Sequence, residues 1–215
     1  MTDRQRLLIF PYNGNGREAL DCLDGNYEFI AFIDDSPEKQ GVSSMGHKVL
    51  GREALNIFAD ARVLAVPGGP ASYLQRSVII NSLDVNPSRF VSVIHSTARI
   101  SRDAKIGFNV LIMAGTVITS NAAIGSHVCL LPNSVIHHDA SIGDWTLIGA
   151  GVTVAGGTAI GENCYIGSGS NIMNDLTIGD RALVGLGSNV IRPVPSNTKV
   201  AGNPARRIGM SFVHP

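Results

Sequence analysis

Every sixth residue from Ile100 to Val190 is isoleucine, leucine or valine, sixteen positions in succession without a slip. Neither the two-residue period of a strand nor the 3.6-residue period of a helix generates that spacing. A six-residue repeat describes a short strand and a corner, with one aliphatic side chain per repeat pointing inward. Three repeats close a triangular coil of eighteen residues. Ile-Gly pairs recur at that longer period, at Ile106, Ile124, Ile142, Ile160 and Ile178. Two places before each aliphatic position the residue is usually small or β-branched, as at Ala104, Thr116, Ala122, Ser134 and Cys164. Such residues fit inside a narrow prism, so Cys164 reads as packing. The 24 glycines and the 6% of aromatic residues suit a chain with many corners. The expected fold is a parallel β-helix of just over five coils, stacked about 4.8 Å apart. Pro193 and Pro195 are expected to stop the ladder, because proline has no N–H to donate.

The first third of the chain lacks the repeat. Leu7–Phe10, Phe29–Ile33 and Arg62–Val66 read as strands, with helices expected over Arg17–Leu23 and from about Ser72. Strand, loop, helix and strand in this order imply a small parallel, Rossmann-like sheet. The domains expected are an α/β unit over 1–92 and the β-helix with its tail over 93–215. In such sheets ligands lie at the carboxyl ends of strands. Those ends carry Asn13-Gly14-Asn15-Gly16, the pair Asp34-Asp35, and Gly68-Gly69. The first loop suits either a phosphate cradle or a plain tight turn. The two acids suit either a nucleobase or ribose contact or a solvated turn.

Seventeen basic and seventeen acidic residues balance, which argues against nucleic acid as a partner. No apolar run approaches the roughly 20 residues of a membrane span. Leu7–Phe10 is too short for the core of a secretory leader. Cys22, Cys129 and Cys164 are odd in number and scattered, which points to reduced thiols and a cytoplasmic location. No histidine shares a column with metal-ligating partners, so no metal is expected. His95 and His127 read as structural or surface residues. His138 and Asp139 are different: adjacent titratable groups able to act as a base and its orienter. Gly156 lies eighteen residues on, one coil away in the same column, and would set exposed backbone N–H beside the imidazole.

The hexapeptide repeat resembles that of the left-handed β-helix acyltransferases. Together with the N-terminal α/β unit, the whole chain resembles the NeuD/PglD/VioB family of sugar acetyltransferases. The specific elements are the first Gly-rich loop, Asp34-Asp35, the stretch Ser134–Gly143 and the tail Val200-Ala-Gly-Asn-Pro-Ala205. The resemblance implies a left-handed helix and a homotrimer with acetyl-CoA as cosubstrate in the cleft between neighbouring β-helices. It implies that the N-terminal loops hold the nucleotide of a nucleotide-linked amino sugar. It also implies His138 as the base, Gly156 as oxyanion donor, and Asn203, Pro204, Arg206 and Arg207 near the adenosine of CoA. One departure is Asn15, where many relatives carry a histidine. Guanine offers two adjacent N–H donors to a carboxylate such as Asp34 or Asp35, so GDP-perosamine is favoured over UDP- or dTDP-linked sugars. The expected activity is N-acetylation of a 4-amino-4,6-dideoxy sugar. The rivals are O-acetylation of a sugar and a catalytically silent trimeric binding module.

Overall fold

A computed structural model of the protein describes residues 4–211. Residues 1–3 and 212–215 of the two expected units lie outside it. Strands β1 (Gln5–Phe10), β2 (Tyr27–Ile33), β3 (Gly41–Val42), β4 (Lys48–Leu50) and β5 (Arg62–Ala65) form one sheet in the order β3-β4-β2-β1-β5. The β1–β2, β1–β5 and β2–β4 pairs are parallel, as expected. The β3–β4 pair is antiparallel, so the sheet is mixed. This hairpin escaped the sequence reading because its strands are two and three residues long and mostly exposed. Strand β1 is buried on both faces. Leu7 and Ile9 join a core with Leu64, Leu111 and Cys129, whereas Leu8 and Phe10 join another with Leu55 and Ile80.

The first helix, α1 (Gly14–Glu18), starts three residues before the expected Arg17. Asn13 caps it, its Oδ1 accepting the Gly16 N–H at 2.8 Å. The glycines expected in a loop therefore form the first helical turn, which tightens into a 3-10 turn over Ala19–Cys22. A short α2 (Ala54–Ile57) was not anticipated, and α3 (Arg76–Asn81) follows a 3-10 turn at Tyr73–Gln75.

From residue 93 to 190 each hexad contributes a two-residue strand, and these stack in parallel within three sheets of six, five and eight members, the eight counting two longer strands after residue 197. Val117 pairs with Val135, and Ile118 with Ile136, the eighteen-residue coil of the sequence. The aliphatic column fills the prism. Several inward hydroxyls are fully buried and satisfied: Ser134 donates to Gly149 O at 2.7 Å, and Thr146 to Gly161 O at 2.9 Å, whereas Thr116 Oγ1 has no partner among the described residues. Many corners turn through a left-handed residue, often Asn or Asp, which tolerates that conformation.

The array is longer than the repeat in both directions. Val93–Ile94 pairs with Leu111–Ile112, one step before Ile100. The prolines do not stop the ladder. After Val190 the aliphatic step shortens to four, reaching Val194, and returns to six at Val200. Val194 bridges to Ile178, and Thr198–Ala201 pairs parallel with Leu183–Val184. Pro193 and Pro195 flank these pairings, so neither needs a ladder N–H. Arg206–Met210 then folds back antiparallel on Thr198–Ala201 and closes the last edge.

The sheet and the β-helix meet along one corner column. Asn109 is buried; its Oδ1 accepts from Ala65 N at 2.7 Å and its Nδ2 donates to Ala65 O at 2.8 Å. Arg76 is wholly buried, and its guanidinium donates to the carbonyls of Pro67, His127 and Trp145. Burial pushes its pKa down. The Tyr73 hydroxyl donates to Ser211 Oγ at 2.7 Å. All three cysteines are buried free thiols; burial raises Cys22 and Cys129 to about 11 and Cys164 to about 12. None is a ready nucleophile.

Candidate active site

His138 and Asp139 project from one corner, at the end of the strand Val135–Ile136. Both side chains are more than half exposed. His138 Nδ1 lies 2.8 Å from Asp139 Oδ2. Asp139 sits in the left-handed region, φ 61°, and this turn brings its carboxylate back toward the preceding ring. With a carboxylate on Nδ1, the favoured neutral tautomer carries its proton there and leaves the Nε2 lone pair free. Hydrogen bonds from Asn121 and then His138 hold the Asp139 carboxyl below its usual range. Asn121 stands eighteen residues earlier, and its Nδ2 donates to Asp139 Oδ1 at 2.7 Å.

Gly156 lies one coil further along the same column. A Cβ there would sit 2.5 Å from His138 Cε1 and 2.6 Å from Nε2, so only glycine lets the ring lie in this position. Gly156 is buried beneath the imidazole, not exposed as the sequence suggested. The ring stacked on it is the reason. Its N–H has no backbone acceptor among the described residues. His137, the neighbouring histidine, is half-buried at the same corner.

The N-terminal candidates gather at one edge, because β1, β2 and β5 run parallel and end together. Asp34, expected to face a ligand, is instead buried at 2% exposure. Its carboxylate accepts from Tyr12 N and Lys39 Nζ at 3.1 Å each, and from Ser36 N at 3.0 Å. It straps the β1–α1 turn to the end of β2. Asp35 is exposed and holds Arg52 through two hydrogen bonds. Gly14 and Gly69 face open space, whereas Gly68 packs against the Arg76 side chain. A cavity of about 390 Å³ opens beside Gly14, lined also by Arg17, Glu18, Asp21, Met45 and His47. The sequence reading missed Arg17, Met45 and His47, since the hairpin that supplies two of them was not recognised.

The tail residues Asn203, Pro204, Arg206 and Arg207 are exposed. Neither arginine pairs with a carboxylate among the described residues. The tail stacks on the Asn189 rung, Ala205 N donating to Asn189 O at 2.8 Å. That is three rungs beyond Val135–Ile136, roughly 14 Å at the usual strand spacing. Within one chain the dyad and the tail are therefore apart along the axis.

A family model described as bacterial transferase hexapeptide (six repeats) matches residues 103–136 and 124–156. Part of the chain thus matches the hexapeptide repeat, and its fold is that of the left-handed β-helix. No curated sequence matches it significantly. Solved structures match the chain over nearly its whole length. PerB from Caulobacter crescentus, solved with CoA and GDP-perosamine, is 24% identical with a TM-score of 0.83, over 95% of this chain and 97% of that one. The acetyltransferase domain of PglB from Neisseria gonorrhoeae is 25% identical, TM-score 0.84, over 96% and 100%. WeeI from Acinetobacter baumannii is 26% identical, TM-score 0.80, over 96% and 100%. The likeness runs through both the sheet and the β-helix, the two-part architecture of the NeuD/PglD/VioB type. Among the described residues, no group of three His, Cys, Asp or Glu side chains is placed to hold a metal ion. No helix among them is long and apolar enough to cross a membrane.

Proposed function

We propose that this protein is an acetyl-CoA-dependent sugar N-acetyltransferase, acting on the 4-amino group of a nucleotide-linked 4-amino-4,6-dideoxy sugar. The observation that carries this reading is the His138–Asp139 pair, 2.8 Å apart, with the imidazole lying on Gly156. The amine attacks the thioester carbonyl and becomes positively charged. His138 Nε2 removes that proton, and Asp139 stabilises the imidazolium. The Gly156 N–H is the donor we assign to the carbonyl oxygen as it gains charge. The C–S bond then breaks, and the CoA thiolate takes a proton back from His138. Arg206 and Arg207, exposed and unpaired with any carboxylate among the described residues, are the cations for the phosphates of CoA, which would lie along the rungs between dyad and tail.

The division into a nucleotide-sugar unit over 1–92 and a catalytic unit over 93–215 belongs to the same proposal, as do the homotrimer and the cytoplasmic location. Arg17 and the α1 N-terminus, Asn13–Gly16, face the nucleotide, with Gly68 and Gly69 closing the edge. Asp34 acts indirectly, by fixing the turn after β1. Asp35 is the exposed carboxylate able to take the paired N–H donors of guanine once Arg52 yields, which makes GDP-perosamine the first substrate to test.

The test is thiol release from acetyl-CoA with a panel of GDP-, UDP- and dTDP-linked 4-amino sugars and their 4-hydroxy counterparts. Turnover is expected with an amino sugar only. His138→Ala should lower kcat by about 10²–10⁴-fold with little change in KM. Acetylation of a hydroxyl analogue alone would make the enzyme an O-acetyltransferase. Full activity of His138→Ala would remove the base from the mechanism.

A further inference from the structure

We infer that Asn121 is a positioning residue for the catalytic pair, holding Asp139 from the coil before it so that His138 is kept in one orientation. This rests on the proposed role of His138 as base. Asp139 uses its two oxygens on different partners. Oδ2 meets His138 Nδ1 at 2.8 Å, and Oδ1 accepts the Asn121 amide at 2.7 Å. The pair is otherwise poorly restrained. Both side chains are more than half exposed, and an exposed hydrogen-bonded pair alone holds its geometry weakly. A second hydrogen bond from the other side fixes the plane of the carboxylate, and with it the ring that lies on Gly156.

Asn121 is suited to this by its own corner. It occupies the left-handed region at φ 56°, where asparagine is tolerated. The column repeat sets it directly beside Asp139: Asp139 N donates to Ser120 O at 3.0 Å, joining the two corners through the backbone. The amide must donate, since an ionised carboxylate only accepts. Among the described residues Asn121 makes its side-chain hydrogen bond to Asp139 and none to the His138 ring, so the effect assigned to it passes through Asp139.

The experiment is a double-mutant cycle built from Asn121→Asp, Asn121→Gly and Asp139→Gly, three changes compatible with left-handed corners. Asn121→Asp keeps the shape and removes the donor; Asn121→Gly removes the side chain. Each should lower kcat on the order of tenfold, with KM for acetyl-CoA and for the sugar nucleotide unchanged. In the Asp139→Gly background neither should cost anything further. An equal loss of kcat with and without Asp139 would make Asn121 merely structural. Unchanged kcat in Asn121→Asp would overturn the inference directly. If His138→Ala is inactive while the Asn121 variants are fully active, only this inference fails; if His138→Ala is fully active, the base reading beneath it fails.

Discussion

At the scale of single residues, two histidines of the β-helix live in opposite environments. His138 is exposed and held by a carboxylate. His127 is buried, stacked on Trp145 at 5.7 Å and met edge-on by Phe90 and Phe108. Burial, and then the Arg76 charge, lower its pKa to about 4, while Asp144 opposes them. An imidazole in an unfolded chain titrates near 6.5. Between those values the unfolded chain takes up a proton that the folded chain refuses. Stability from this group is therefore complete above about pH 6.5 and is lost as pH falls toward 4. His127→Asn keeps a residue that tolerates φ 61° and removes the titration. Chemical denaturation at pH 7 and pH 4.5 should show a smaller pH-dependent loss in the variant than in the wild type. Equal slopes would show that His127 does not carry this acid sensitivity.

At the scale of the element, each coil depends on its neighbours, because a two-residue strand has no stability of its own. Ile148 lies in the middle of the stack, fully buried in the prism. Ile148→Val should cost about 1 kcal/mol, the usual loss of one buried methylene. Ile148→Asp buries a carboxylate with no partner and should prevent folding. Thr177→Asp, at an exposed outward position of the same array, should stay within about 0.5 kcal/mol of the wild type. Soluble yield and thermal melting separate the three. A soluble, cooperatively melting Ile148→Asp protein would contradict the inward direction of the aliphatic column. The corners obey a different rule: they admit Asn and Asp for conformational reasons, and the same residue types then become available for chemistry at Asn121 and Asp139.

At the scale of the whole molecule, Arg76 ties sheet to β-helix. Its guanidinium joins the loop after β5 to two carbonyls of the corner column, with no counter-ion needed. Removing it leaves three buried acceptors empty, at about 1–3 kcal/mol each, and the losses are not additive. Arg76→Met should therefore destabilise the junction by several kcal/mol, while the prism, which has its own core, persists. Limited proteolysis read by mass spectrometry should find cuts concentrated before residue 93 and protection after it. Arg76→Lys should fare little better, since an ammonium cannot serve three divergent carbonyls from one planar fork. Uniform digestion of both parts would mean that the two regions unfold as one unit.

The aliphatic column was legible from spacing alone because a stacked coil repeats one environment every eighteen residues. One pattern therefore specifies strand, corner and inward face together. The His138–Asp139 pair and its Gly156 neighbour were legible for the same reason: a fixed offset along the chain becomes a fixed neighbour in space. Asn121 obeys that offset too, but its role depends on which way the Asp139 carboxylate turns, and spacing does not carry that. The N-terminal third has no repeat, so its contacts could not be read by counting. That Asp34 is an internal strap, that Arg17 and His47 share a cavity, and that Arg76 and Asn109 join the two regions follow from side chains distant in sequence. Those contacts form only once the sheet has packed on one corner of the prism. The local periodic pattern determined the β-helix and the column bearing the dyad. Tertiary packing alone decided which polar groups stay exposed and which are used up inside, because burial and hydrogen-bond competition are set by neighbours that have no sequence period.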